Sequence, residues 1–174
     1  MLWHSKINLQ CTEPRLVNLY NNSFPANERR ALTPILRDST GSSELLAFYD
    51  DSTFCGFSAS LINGDILHII YFAVEKLLRG KGYGHAILRE NELLHPGYRI
   101  IVDIESLVPD SPNLDERIRR KHFYESCGYE TTDVIYDWRG ESYTILSKNG
   151  SVSSDEFNGF WKNIGKINGR LMRY

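Results

Sequence analysis

The stretch "ILHIIYFAVEKLLRGKGYGHAILRE", Ile66 to Glu90, decides how this chain is read. Its first ten residues are apolar almost throughout, as in a strand buried on both faces at the centre of a sheet. Its last residues begin a helical pattern that runs to about Leu94. Between the two, Gly80, Gly82 and Gly84 alternate with Lys81 and Tyr83, and Arg79 precedes them. The first amides of a helix have no partner inside it, and the helix N-terminus carries partial positive charge. Glycine at alternate positions removes the Cβ atoms that would keep an anion away from those amides. The segment therefore reads as a phosphate cradle, to which Arg79 and Lys81 add charge suited to a diphosphate.

The flanking sequence gives the frame. "RIIVDIE", Arg99–Glu105, follows the helix as a second strand, so the connection predicts a parallel pair. Upstream, the sequence predicts a strand over residues 3–10, a helix over 13–24 with Leu16, Leu19 and Tyr20 on one face, and a second helix over 27–38 bent at Pro34. Strands over 43–50 and 53–62 join at Asp50 and Asp51, and Asn63-Gly64-Asp65 marks a hairpin. Downstream come a helix over 114–128 stopped by Gly128, and a last hairpin over 129–148 that turns at Arg139 and Gly140. The expected fold class is α+β, with a mixed, mostly antiparallel central sheet, one parallel strand–helix–strand pair, and helices on both faces.

Residues 1–150 form the expected domain, and 151–174 a helical extension. Ser153 and Glu156 fit a capping box, and Phe157, Phe160, Trp161, Ile164 and Ile167 share one face. Gly159, Gly165 and Gly169 each weaken such a helix by about 1 kcal/mol relative to Ala. It therefore needs a surface to lie on, either its own domain or a partner subunit.

Bulk composition narrows the classes. The chain has 174 residues, 41% hydrophobic and 24% charged, with a formal net charge of −2. That balance argues against nucleic acid as a partner. Three cysteines without a CxxC pair, and five histidines without ligand spacing, give no expected metal site. No apolar run reaches the roughly 20 residues of a membrane span, and the start lacks a signal-peptide core. A soluble, cytoplasmic protein with no membrane partner is expected.

Three ligands compete for the glycine segment. A Walker loop would place Ser or Thr after Gly80-Lys81, where Gly82 stands. A dinucleotide fold wants GxGxxG. Here GxGxG is one residue short, although Asp103 lies at the right distance to contact a ribose. That NAD(P)-binding oxidoreductase reading stays open, but it calls for more strand–helix repeats than the chain supplies.

The third ligand fits more of the sequence. Arg79-Gly80-Lys81-Gly82-Tyr83-Gly84 resembles the R/Q-x-x-G-x-G/A signature of the GNAT superfamily of N-acetyltransferases, and "FYESCGYE", Phe123–Glu130, resembles the family's late "lYek.GF" segment. The order of elements from Ile7 to Ser147 is also similar. This resemblance implies a three-layer fold, acetyl-CoA as cosubstrate and direct transfer to a primary amine of a small molecule or protein. The loop from Arg79 to Gly84 would bind the diphosphate. The backbone of Phe72, Ala73 and Val74 would pair with the pantetheine arm as an added strand, with Val74 N–H as donor to the thioester carbonyl. Tyr124 would be the acid at the thiolate. The family often has Asn seven residues before that Tyr; here Arg117 stands there, and Asn113, one turn earlier, is the substitute candidate. A carboxylate must accept the amine proton. Glu105 is the first candidate and Glu28 the second. A non-catalytic acyl-CoA-binding module is the other reading, and a homodimer is compatible with both.

Overall fold

The computed structural model describes residues 1–38 and 40–167. Seven strands form one sheet in the order β1-β2-β3-β4-β5-β7-β6. They are β1 (Leu2–Lys6), β2 (Ser43–Asp50), β3 (Thr53–Asn63), β4 (Ile66–Val74), β5 (Arg99–Glu105), β6 (Glu130–Trp138) and β7 (Glu141–Lys148). Every neighbouring pair is antiparallel except β4 and β5. The helices are α1 (Pro14–Ser23), α2 (Thr33–Leu36), α3 (Tyr83–Leu94), α4 (Leu114–Ser126) and α5 (Ser154–Ile167). The α+β class and the mixed sheet are as expected.

Two apolar layers sandwich the sheet. On one face, α1 supplies Leu16, Leu19 and Tyr20 against Phe57, Ala59, Tyr71 and Ala73. Alongside it, α5 supplies Phe157, Phe160 and Ile164 against Leu61, Ile66, Ile101 and Ile145. On the other face, Leu88 of α3 and Tyr124 of α4 join Leu67, Ile69, Ile100, Val102 and Ile104. The central strands therefore bury both faces, which is why the run from Ile66 has so few polar positions. Glu156 accepts from Ser153 N–H at 2.9 Å, so the capping box at the start of α5 is formed. The Ile167 side chain, residues 168–174 and with them Gly169 lie outside the described residues.

Two elements depart from expectation. The first strand stops at Lys6, because Asn8 Oδ1 accepts from the Gln10 and Cys11 amides and turns the chain. The second helix is only Thr33–Leu36. Residues 25–32 form a loop whose backbone is satisfied by tyrosine hydroxyls: Arg30 N–H donates to Tyr20 and Tyr71, and Tyr71 O–H donates to Glu28 C=O at 2.8 Å. None of the helices in the described residues is long and apolar enough to cross a membrane.

The α3 helix is tied to the sheet by buried polar pairs. Ser58 O–H donates to Asn91 at 3.0 Å. His95 Nε2 lies 3.0 Å from Glu44 on β2, with both side chains 12% exposed. Burial alone would lower the His95 pKa, but the Glu44 carboxylate and the Asn91 carbonyl outweigh it and raise the value above 6.5. A raised folded value stabilises fully below the unfolded pKa, and the benefit disappears as pH rises through the folded one. The stability advantage of wild type over His95→Gln, read from denaturant midpoints, will therefore be largest near pH ~6 and shrink toward pH ~9.

Candidate active site

The site begins where the parallel pair stops. β4 and β5 are in register for only four residues, from Ile66 opposite Arg99 to Ile69 opposite Val102. Beyond these, Ile70–Val74 and Asp103–Glu105 have no partner across the gap. A bulge helps to open it. Tyr71 pairs with Ala59 and Ile69 with Ser60, leaving Ile70 as an extra residue on β4. The bulge shifts the alternation of β4: His68 and Tyr71 both face the α1/α5 side, whereas Phe72 and Val74 face α3 and α4.

The β4 amides follow the same alternation. Glu75 N–H donates to Cys55 C=O at 2.8 Å, so in an antiparallel ladder Ala73 also points its backbone at β3. The polar groups of Phe72 and Val74 point the other way, into the gap. Arg79, expected at the phosphate, donates from Nε to Val74 C=O at 3.0 Å and closes that end of the strand.

The cradle lies at the mouth on the α3 side. Gly80 and Gly82 have φ of +74° and +87°, and a Cβ on either would meet nothing within 4 Å. Gly82 is the N-cap of α3 and contributes no side-chain bond. The amides of residues 80–85 have no acceptor among the described residues, backbone or side chain. Such amides, with open space at Gly80 and Gly82, suit a diphosphate. Gly84 has a different role: a Cβ there would press on Phe123 at 3.0 Å, so this glycine lets α3 approach α4. Lys81 is exposed. Tyr83 donates its O–H to Asp50 at 2.8 Å and so offers the cradle only its amide.

Tyr124 on α4 is 7% exposed and packs among Ile69, Val102 and Ile104, at the edge of the gap. Its ring meets Phe123 and Tyr129 edge-on. Burial pushes its pKa up, with Arg120 opposing and Asp103 adding, so the phenol stays protonated. Phe123 stacks in parallel on Phe72 at 6.1 Å.

The mouth on the α1/α5 side is lined with carboxylates and aromatic rings. Glu105 Oε2 receives Arg120 at 2.5 Å, and Oε1 receives the Asn113 amide at 3.2 Å. Arg117, 6% exposed, organises this corner. It donates to both oxygens of Glu141, to Ser106 C=O and to Asn113 Oδ1, and lies 3.6 Å from Glu105. A buried guanidinium needs this many acceptors. Asn113, expected at the pantetheine arm, has both ends of its amide engaged by Glu105 and Arg117. Among the described residues no hydrogen bond or ion pair joins the Glu28 carboxylate to these guanidinium groups, although the charge of Arg120 reaches it. Its loop is pinned by Tyr71, and burial, with Glu105 nearby, raises its carboxyl above the usual range. Burial likewise raises Tyr143, with Glu28 close by.

Three residues to which sequence reading assigned no part in acetyl transfer meet here. His68 and Tyr136 hold Asp103, which had been weighed only for a ribose. The available signal was a lone histidine in an otherwise apolar strand, alongside an aspartate in its parallel neighbour.

An acetyltransferase (GNAT) domain family matches residues 41–131, more than half of the chain. The fold agrees with solved structures. A protein described as a GNAT-family acetyltransferase from Bacteroides thetaiotaomicron superposes with a TM-score of 0.77 at 20% identity, covering 96% of this chain and 98% of that one. The ribosomal-protein-S18-alanine N-acetyltransferase from Escherichia coli gives 0.62 at 15% identity, over 88% and 96%. A GNAT family acetyltransferase from Elizabethkingia anophelis with acetyl-CoA bound gives 0.60 at 14%, over 84% and 97%. No curated protein sequence matches the chain. The chain belongs to the GNAT family. The matched domain makes it an N-acetyltransferase.

Gly82→Ala tests the cradle. A methyl at φ +87° is strained and stands among the free amides. The KM for acetyl-CoA will rise about 10-fold or more, for a loss of roughly 1 kcal/mol in folding stability. Steady-state kinetics and denaturant melts of the same variant check both.

Proposed function

We propose that this chain transfers an acetyl group directly from acetyl-CoA to a primary amine, without an acyl-enzyme step. The observation that carries this reading is the gap between β4 and β5, with unpartnered amides at one mouth and a cluster of carboxylates at the other. Coenzyme A supplies the acetyl group as a thioester. The amides of residues 80–85 hold its diphosphate, supported by Lys81. Phe72 and Val74 offer the backbone groups for its arm, and Val74 N–H donates toward the carbonyl oxygen.

Glu28 takes the proton of the attacking amine. The geometry favours it over Glu105, whose two oxygens are already held by Arg120 and Asn113. A carboxyl raised by burial is also the stronger base, closer to the ideal value for proton abstraction near neutral pH. Glu105 then serves with Arg117 and Asn113 to fix the corner between β5 and α4. Tyr124 donates the proton that the departing thiolate needs. The acceptor, a small molecule or a protein amine, enters from the α1/α5 side.

Two substitutions test the assignment. Tyr124→Phe will lower kcat about 10-fold or more and leave acetyl-CoA binding nearly intact. Glu28→Gln will lower kcat/KM and remove the acid limb of its pH profile, which in wild type lies above the ordinary carboxylate range because the Glu28 value is raised. An unchanged profile in Glu28→Gln contradicts its role as the base.

A further inference from the structure

Asp103 sits one residue past Val102, the last β5 residue paired with β4. It shares its face of the sheet with Ile101 and with Ile145 opposite it on β7, which is the α1/α5 side. Two groups grip its carboxylate. His68 Nε2 lies 3.2 Å from Oδ1, and the Tyr136 hydroxyl donates to Oδ2 in a short contact. His68 is fully buried, and its Nδ1 has no hydrogen-bond partner among the described residues. The rings of Phe157, Phe160 and Trp161 on α5 pack around it at 5.5–6.0 Å between centroids.

An N–H on Nδ1 would be a buried donor without an acceptor, so the imidazole carries its proton on Nε2 and donates it to Asp103. With Tyr136 donating as well, each carboxylate oxygen has accepted one hydrogen bond and keeps a lone pair for another. Burial alone would raise the carboxyl pKa, but the contacts with His68 and Tyr136, together with Arg30, hold it below the usual range. The side chain remains 20% exposed at the opening of the gap. Its charge is felt by Tyr124, by Glu28 and by Tyr143. It therefore lies close enough to the groups assigned as acid and base for its charge to reach both.

We propose that Asp103 contacts the substrate: it takes the ammonium of a cationic acceptor through its free lone pairs, and His68 and Tyr136 are the positioning residues that hold its carboxylate in place. The assignment rests on the proposed function for the side from which the acceptor enters. It makes the preferred acceptor an amine that arrives protonated. Asp103 docks the cation, and Glu28 then removes one of its protons to give the neutral nucleophile. The α5 helix, through the ring shell on His68, becomes part of the acceptor site.

The test has a binding arm and a kinetic arm. In the first, the full chain saturated with coenzyme A is titrated with butylamine as an alkylammonium probe and with butanol as its uncharged match, and thermal stability is read. Wild type will be stabilised by the amine and not by the alcohol, and Asp103→Asn will lose that response. Equal stabilisation by both probes, or an undiminished response in Asp103→Asn, overturns the proposal. In the second arm, with the best acceptor from an amine panel, Asp103→Asn will raise the acceptor KM about 10-fold or more, as loss of a charge-assisted hydrogen bond does, and leave the KM for acetyl-CoA unchanged. His68→Leu will raise the acceptor KM in the same way. His68→Gln, which keeps an N–H toward Asp103, will restore most of the loss, and Tyr136→Phe will have an intermediate effect. If His68→Leu and His68→Gln differ in melting temperature but share the wild-type acceptor KM, the histidine is merely structural and the assignment falls. Amine binding that depends on Asp103 in a protein that acetylates nothing would overturn the proposed function alone.

Discussion

The structure depends on a limit to pairing. β4 and β5 hydrogen-bond for four residues and then part, and the bulge at Ile70 makes the separation compatible with continuous pairing of β4 to β3. Unpaired backbone in the middle of a sheet is costly unless something satisfies it. Here that cost is the means of binding. The parted edges are a ready site for an extended ligand, which gains affinity from main-chain bonds that the protein leaves open. The cradle, the acid and the carboxylates are arranged around that opening, and each belongs to an element packed against one of the two strands.

The two mouths solve different electrostatic problems. At the cradle, an incoming diphosphate meets free amides and a helix N-terminus, and neither has to reorganise. At the other mouth, several carboxylates crowd together, which would repel if left alone. Arg117 and Arg120 neutralise Glu105 and Glu141. Arg30 has its guanidinium 4.5 and 4.9 Å from the ring centres of Trp138 and Trp161, which ties the β6–β7 hairpin to α5. The result is a corner in which Glu28 keeps a raised proton affinity while Glu105 and Glu141 are paired with guanidinium groups.

Much of this was legible in the sequence, for physical reasons. The apolar run from Ile66 could only be a central strand, and the alternating glycines after it needed positive φ at Gly80 and Gly82. The resemblance of Phe123–Glu130 to the family's late segment picked out Tyr124, which lies buried on α4. Other features were hidden because long-range contacts decide them. The loop at 25–32 has helix-forming residues, but Tyr20 and Tyr71 hydroxyls satisfy its backbone and hold it open. Arg117 read as a departure from the family pattern, and its role as the buried link from α4 to Glu141 depends on a hairpin 24 residues away. His68 and Asp103 come together through the parallel pair, 35 residues apart in the chain. No local period announces such a pair.

The central claim is that the parted strands bind the coenzyme through their own backbone. Amide hydrogen exchange of the full chain, with and without coenzyme A, tests it residue by residue. Protection of the Phe72 and Val74 amides together with those of residues 80–85, and no change at Ala73, is the predicted result. Protection elsewhere, with Phe72 and Val74 exchanging at the same rate in both states, would contradict it.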